Sequence, residues 1–246
     1  MRHTFGLALT FLTIIPFPAR RQATAADLAA AMAWFPLVGL VLGGILALTA
    51  AALQERLPAA ATAAILVALL ACLTRGLHLD GLADTLDGLG GGRSREDALR
   101  IMKDHAVGAF GAVGIATVLL LKYGLLVAVL ARHPLPDLVI FPVTSRFAMV
   151  LLAYLSPYAR PEGGLGQAMT TLTTGRTLAW AAASAVLIVA LAGRGAGLLA
   201  LLLIIALTWG LAAYFRRRLG GVTGDVCGAV NEIGEVAALL ACLSCR

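Results

Sequence analysis

The sequence predicts an all-α integral membrane protein: a polytopic helical bundle with about seven transmembrane helices and a short N-terminal interfacial or re-entrant helix. Three observations support this fold class. Apolar residues make up 60% of the 246 residues and charged residues 13%, with a mean hydropathy of +0.92. In globular domains, apolar residues average about 45–50% and charged residues about 25%. Apolar runs of near-spanning length recur along the chain. Basic residues concentrate in alternate loops, as they do in membrane proteins.

The apolar runs predict the elements in order. The first stretch, Phe5 to Phe17, is too short to span and ends in Pro16-Phe17-Pro18. A signal peptide has a similar length, but Arg20 and Arg21 follow at once, so we favour a helix in the membrane interface. Each of the seven longer runs approaches the roughly 20 residues that cross the hydrocarbon as a helix. These runs are Trp34–Leu53, Ala59–Thr74, Val107–Ala131, Leu138–Leu155, Thr177–Ala192, Leu198–Phe215 and Val226–Leu243.

The loop charges orient the chain. With the N-terminus in the cytoplasm, the inner segments hold 13 of the 19 lysine and arginine residues and the outer segments hold 4, while Lys122 and Arg146 lie inside spans. Cytoplasmic loops are the basic ones in membrane proteins, so this orientation accounts for the net charge of +6 without a nucleic-acid partner. No linker divides the chain, and we expect a single domain over residues 1–246.

Three aspartates share one face of a predicted helix. Asp84 and Asp87 lie about 40° ahead of and about 20° behind Asp80. Like charges four residues apart repel one another, and a hard divalent cation such as Mg²⁺ or Mn²⁺ would compensate them through oxygen ligands. The alternative is a solvated acidic face whose negative charge is balanced by nearby arginines. We favour a metal site, because leucine and alanine separate the acids and a span ends just before them.

The residues around this helix add further candidates. His78 lies on its opposite side and is either a base, a support for a ligand, or a packed histidine. Asp104, at the next membrane boundary, is a candidate fourth metal ligand. Arg93, Arg100 and Lys103 are candidates for holding phosphate oxygens, the alternative being that they hold a helix end at the lipid surface. The glycines at 88, 90, 91 and 92 indicate either a phosphate-binding turn or a flexible loop.

A second acidic cluster lies in the last predicted span. Glu232 and Glu235 are neighbours on a helix, and Asp225 lies seven residues before Glu232. Carboxylates in an apolar segment are costly and mark functional sites by default. The alternative is that they pair with Arg146 or Lys122, which themselves need partners. Either way, the last span is expected to line a polar cavity.

Together these segments resemble the cobalamin synthase family, the adenosylcobinamide-GDP ribazoletransferases. The matching segments are Phe11-Leu-Thr-Ile-Ile-Pro-Phe-Pro18, Gly76-Leu-His-Leu-Asp80-Gly-Leu-Ala-Asp84-Thr-Leu-Asp87-Gly88, Arg95-Glu-Asp-Ala-Leu-Arg-Ile-Met-Lys-Asp104, Gly108-Ala-Phe-Gly111, and Gly221-Val-Thr-Gly-Asp225 with Asn231-Glu232 and Glu235. They occur in family order over nearly the whole chain. The aspartate segment, followed about 15 residues later by Met-Lys-Asp, is the most specific of them.

The resemblance implies an enzyme of the bacterial inner membrane, surrounded by the lipid bilayer, that acts in the last stage of vitamin B12 assembly. The loop charges place both acidic clusters on the cytoplasmic side, so we expect the active site to face the cytoplasm. It implies that the enzyme joins adenosylcobinamide-GDP to α-ribazole, or to α-ribazole 5′-phosphate, and releases GMP with the help of Mg²⁺. Association of several copies is left open.

We expect the metal, the substrates and the proton to be handled by separate groups of residues. Mg²⁺ would be held by Asp80, Asp84, Asp87 and Asp104, and phosphate oxygens by Arg93, Arg100 and Lys103. One of the aspartates or His78 would take the hydroxyl proton. The acceptor side would be lined by Asp225, Asn231, Glu232 and Glu235.

Two other functions are compatible with parts of the sequence. A lipid synthase that uses a CDP-linked alcohol also places aspartates and Mg²⁺ at a helix end, but its Asp-Gly-x-x-Ala-Arg run would need Ala and Arg where this chain has Asp84 and Thr85. A small-solute transporter would use intramembrane charges such as Glu232 and Arg146. Transporters often have two similar halves, and this chain shows no such pairing.

Overall fold

We describe a computed structural model over residues 2–18, 22–104, 106–132 and 135–244, leaving aside the side chains of Leu165 and Arg194. Within this part of the chain the regular structure is helical, and one isolated bridge joins Tyr158 to Val222. The helices are α1 (Arg2–Leu12), α2 (Ala25–Ala31), α3 (Phe35–Leu53), α4 (Ala59–Leu73), α5 (Leu77–Gly91), α6 (Arg95–Ile101), α7 (Ala109–Ala131), α8 (Asp137–Leu155), α9 (Leu165–Thr171), α10 (Gly175–Leu219) and α11 (Gly224–Ser244).

The number of apolar helices confirms the predicted fold class. In the described ranges, six helical segments are long and apolar enough to span a membrane, and the bent pair α4–α5 makes a seventh if it counts as one span. The predicted short N-terminal helix is α1. Arg20 and Arg21, which entered the charge count, lie outside the described residues.

The first span begins about nine residues earlier than its apolar run. Thr24 and Asp27 form a capping box at the start of α2, which continues through a 3₁₀ turn at Met32–Trp34 into α3. A capping box satisfies two otherwise unpaired backbone N–H groups, so the helical stretch extends to Ala25 although its first turns are less apolar. The candidate span is therefore Ala25–Leu53.

A sharp bend separates α4 from the acidic helix α5. The two helix axes meet at 86°, and the backbone turns through left-handed conformations at Arg75 (φ 55°) and Gly76 (φ 65°). The Arg75 guanidinium donates hydrogen bonds to the carbonyl oxygens of Thr10 and Phe11, at 3.2 and 3.3 Å. The bend is thereby tied to the end of α1, and α5 runs across the direction of α4.

The two predicted spans after residue 175 form a tight helical hairpin within α10. They appear as Gly175–Gly193 and Gly195–Leu219. A Cβ atom placed on Gly197 would lie 2.5 Å from the carbonyl oxygen of Val189, whereas eight residues of a straight helix rise about 12 Å. The chain therefore reverses between the two segments.

The central helices α8 and α11 are the most enclosed spans. Glycine permits the close approach of α3 to α8: a Cβ atom on Gly39 would lie 2.7 Å from Val143 Cα, and one on Gly43 would lie 2.6 Å from Val139 Cα. Small residues allow helices to pack this closely in a membrane. A Cβ atom on Gly44 would meet nothing within 4 Å.

Candidate active site

The three predicted aspartates all lie on α5, but they differ in exposure. Asp80 is exposed, Asp84 is half-buried, and Asp87 is buried, with 8% of its surface accessible. The single-face arrangement predicted from the sequence is thus present on a helix. The helices that pack against α5, however, give the three carboxylates different environments.

A backbone contact between α5 and α11 brings a fourth carboxylate to this face. A Cβ atom on Gly81 would lie 2.7 Å from the carbonyl oxygen of Asp225 and 3.0 Å from its Cα, so only glycine allows this approach. The negative charge of Asp84 is therefore repelled by that of Asp225 on α11. It is also repelled by that of Asp80, which lies one turn earlier on α5. We call Asp80, Asp84 and Asp225 the carboxylate cluster.

Arg160 is a cation that faces the carboxylate cluster. One of its terminal nitrogens donates to Asp225 Oδ2 at 2.7 Å, and its charge attracts Asp84. The Tyr158 hydroxyl, two residues earlier, has a pKa raised by burial, an effect that Arg160 opposes. No local sequence pattern singles out Arg160, which counted only as a cytoplasmic charge, because its role depends on the fold.

Asp87 caps the next span. Its two carboxylate oxygens accept hydrogen bonds from the backbone N–H groups of Gly108 (2.8 Å) and Gly111 (2.9 Å), at the start of α7. Negative charge at a helix N-terminus is stabilising, and a cap replaces water for buried N–H groups. The predicted role of Asp87 as a metal ligand stays a prediction, and the structure adds a structural role.

The predicted phosphate-holding residues lie around α6. Arg93 is exposed, and Arg100 is exposed with a hydrogen bond to Asp97 at 3.4 Å. Lys103 forms an ion pair with Glu162. The exposed Asp104 accepts a hydrogen bond from the backbone N–H of Ala106 at 3.1 Å, and the intervening His105 lies outside the described residues.

The glycines that precede Arg93 do not form the predicted turn or loop. α5 continues to Gly91, and Gly92 is its C-cap. Small residues are needed because α6 packs closely here: a Cβ atom on Gly88 would lie 2.8 Å from the carbonyl oxygen of Ala98, and one on Gly92 would lie 2.6 Å from Ala98 Cα. Their role is helix packing, and the phosphate-binding turn is wrong.

The two glutamates of the second acidic cluster lie inside the bundle, whereas its third member, Asp225, belongs to the carboxylate cluster. Lys122 on α7 donates to Glu232 Oε2 at 2.6 Å and also pairs with Glu235. Arg146 on α8 pairs with Glu235 as well. Asn231 donates to Glu235 Oε1 at 3.2 Å. These contacts are the pairing that the sequence left open as the alternative to a substrate role.

His78 belongs to the same interior group. It is 1% exposed, and its Nδ1 atom lies 3.5 Å from a terminal nitrogen of Arg146. We call these side chains the interior network; it comprises His78, Lys122, Arg146, Asn231, Glu232 and Glu235. A small cavity borders it, lined by Lys122, Arg146 and Glu232 together with apolar residues of α4, α5 and α7. Glu232 of the last span thus lines a small cavity that both charged and apolar residues border.

The carboxylate cluster has the donor chemistry that Mg²⁺ prefers, although it is not a complete cage. Among the described residues, no group of three histidine, cysteine or acidic side chains converges closely enough to hold a metal ion. Mg²⁺ is usually held by one or two carboxylates with waters and substrate phosphates. Asp84, whose charge interacts with those of Asp80 and Asp225, fits this mode of binding.

Comparisons with known proteins identify the family. A family model described as cobalamin-5-phosphate synthase matches residues 4–243. A protein of Syntrophobacter fumaroxidans named adenosylcobinamide-GDP ribazoletransferase is 46% identical over 239 residues, which cover 96% of each chain. Proteins with the same name from Desulfitobacterium hafniense and Pseudomonas aeruginosa are 42% and 41% identical, covering 95% and 96% of this chain and 94% and 95% of their own. No solved structure matches. The chain belongs to the cobalamin-5-phosphate synthase family.

Proposed function

We propose that this transferase joins adenosylcobinamide-GDP to α-ribazole, or to α-ribazole 5′-phosphate, in the last stage of cobalamin biosynthesis. The 3′-hydroxyl oxygen of the ribazole attacks the phosphorus atom attached to the aminopropanol of the cobinamide. A new P–O bond forms while the P–O bond to GMP breaks. The hydroxyl proton passes to a carboxylate of the enzyme, and GMP leaves with the electron pair.

The observation that carries this proposal is the contact of α5 with α11 in a chain of this family. It brings Asp225 to the face of α5 that carries Asp80 and Asp84, and Arg160 pairs with Asp225. Transfer of a phosphoryl-type group needs little covalent chemistry from a protein, and positioning and charge neutralisation are its main requirements. Clustered oxygen donors beside a guanidinium supply both.

We assign separate tasks to the residues of the site. Mg²⁺, when bound, would neutralise charge on the pyrophosphate and on the leaving GMP, with Asp80 and Asp84 as its first candidate ligands. Asp84 is also our candidate for the base, because accepting the hydroxyl proton relieves its repulsion by Asp80 and Asp225. We retain Arg93, Arg100 and Lys103 as binders of phosphate oxygens.

The interior network changes the expected assignment of the acceptor side. Glu232 and Glu235 already have cationic partners, and we propose that they support the site by fixing α11 rather than by contacting the acceptor. Asp225, which lies at the start of the same helix, is the residue of this group that we place beside the substrates. His78 is likewise proposed to support the fold.

We propose that the protein lies in a bacterial inner membrane and that its site faces the cytoplasm. Six or seven apolar helices agree with an integral membrane protein, and the excess of basic residues in the predicted inner loops supports this orientation. The nucleotide substrate and the GMP product are then on the side where nucleotides are found.

Turnover by the purified protein tests this function. With Mg²⁺, adenosylcobinamide-GDP and α-ribazole we expect GMP release in equal amount to cobalamin formed, and neither product when the acceptor is left out. A parallel reaction with α-ribazole 5′-phosphate identifies the preferred acceptor. Transfer from a CDP-linked lipid would indicate the lipid synthase instead, and solute uptake by vesicles without turnover would indicate the transporter.

A further inference from the structure

Arg160 connects three parts of the chain at the carboxylate cluster. One terminal nitrogen of its guanidinium donates to Asp225 Oδ2 at 2.7 Å and to the carbonyl oxygen of Met102, at the end of α6, at 3.2 Å. Its Nε atom is buried and has no hydrogen-bond partner among the described residues. A guanidinium has five N–H donors, so part of its bonding capacity is unused.

The segment that carries Arg160 is fixed by backbone contacts. The N–H of Ala159 donates to the carbonyl oxygen of Val222 at 2.9 Å, and the N–H of Val222 donates to that of Pro157 at 2.9 Å. These two bonds form the bridge between Tyr158 and Val222. Arg160 is thus held next to the start of α11 by the fold itself, before any substrate binds.

The guanidinium of Arg160 is suited to binding an anionic ligand with several oxygens. Asp225 is its ion-pair partner, and Asp84 is attracted by its charge. The planar guanidinium matches phosphate oxygens in a two-pronged contact. Among the residues that the structure describes, Arg160 forms an ion pair with a member of the carboxylate cluster, so it is positioned to contact a pyrophosphate bound there.

We propose that Arg160 binds the pyrophosphate of the nucleotide substrate, and that Asp225 holds its guanidinium in place until the substrate replaces that contact. This inference rests on the proposed function, since the pyrophosphate is that of adenosylcobinamide-GDP. Asp225 then has two effects: it orients Arg160 in the free enzyme and competes with the phosphate for it.

Binding of inorganic pyrophosphate to the detergent-purified protein, measured by calorimetry without Mg²⁺, tests the exchange directly. Arg160→Gln should weaken binding about tenfold or more, because a charge-assisted contact is lost. Asp225→Asn should strengthen binding, because the competing carboxylate is removed. The matched control is Arg176→Gln, which removes the same charge from an exposed residue at the start of α10 and should bind as the wild type does.

Steady-state kinetics add a readout that a purely structural role would not produce. Arg160→Gln should raise KM for adenosylcobinamide-GDP about tenfold or more and leave KM for α-ribazole within about twofold. If Arg160→Gln does not fold, Arg160→Lys replaces it; lysine keeps the charge but not the two-pronged contact, so pyrophosphate binding should still weaken.

The outcomes separate this inference from the function on which it rests. Wild-type pyrophosphate affinity and wild-type KM values in folded Arg160 variants would overturn the inference, while a positive transferase assay would leave the proposed function standing. Arg160-dependent pyrophosphate binding in a protein without transferase activity would reject the proposed function and retain the anion site.

Discussion

At the scale of single residues, two aspartates on the same helix have different roles. Asp84 is half-buried and faces like charges, whereas Asp87, one turn further, has both oxygens occupied by backbone N–H groups of α7. The aspartate pattern in the sequence placed both on one face but could not distinguish them, because the difference comes from α7 and α11. Two substitutions test this distinction.

We expect Asp84→Asn to abolish activity while the protein still inserts and purifies normally. The substitution keeps the shape of the side chain and removes the charge. Loss of a direct metal ligand or base removes several kcal/mol of transition-state stabilisation, about a thousandfold in rate. GMP release should be measured at saturating Mg²⁺, with Glu96→Gln, an exposed acid of α6, as the control. Near-normal turnover in Asp84→Asn would show that the proposed metal site is wrong.

Asp87→Ala should act mainly on stability. Losing a helix cap costs about 0.5–2 kcal/mol, so the midpoint of thermal unfolding in detergent should fall by several degrees. The fraction that remains folded should keep more activity than Asp84→Asn does. An unchanged unfolding temperature combined with complete inactivity would instead indicate that Asp87 is a ligand or reacting group.

At the scale of elements, the helices were predictable and their bends and partners were not. Apolar length placed the spans within about four residues, because burial in lipid requires long apolar segments. The exception is the start of the first span, which lies about nine residues earlier than predicted. The glycines at 88, 90, 91 and 92 were predicted to form a turn or loop, but α5 continues to Gly91 and ends at its C-cap Gly92, with α6 packed closely against Gly88 and Gly92. Arg160 was missed, since its importance arises from a loop that the start of α11 positions.

The interior network gives a prediction that distinguishes a structural from an acceptor-binding role of α11. Lys122→Met leaves Glu232 and Glu235 with Arg146 as their cation, and an unpaired buried charge costs about 3–5 kcal/mol. We therefore expect low yield and a lower unfolding temperature. The double variant Lys122→Met/Glu232→Gln removes one charge of each sign and should recover part of that loss.

The kinetics of Glu232→Gln complete this comparison. If Glu232 acts through the fold, KM for α-ribazole should change no more than KM for adenosylcobinamide-GDP. A selective rise in KM for α-ribazole in a well-folded variant, together with no recovery in the double variant, would restore the acceptor-lining role.

At the scale of the whole molecule, the orientation in the membrane determines whether the site meets its substrates. The loop charges predict that α6 faces the cytoplasm and that the turn between α3 and α4 faces outward. In a chain whose native cysteines are replaced by alanine, Glu96→Cys should react with an impermeant thiol reagent only after permeabilisation of the cells. Glu55→Cys, exposed in the outer turn, should react in intact cells. The reverse pattern would overturn the orientation.

The most direct test of the central claim follows the oxygen atom that forms the new bond. α-Ribazole labelled with ¹⁸O at its 3′-hydroxyl is supplied with adenosylcobinamide-GDP, and both products are analysed by mass spectrometry. Attack by the hydroxyl on the cobinamide phosphate predicts that the label is retained in the phosphodiester of the cobalamin product and is absent from GMP. Loss of the label to water, or its appearance in GMP, would contradict the proposed transfer.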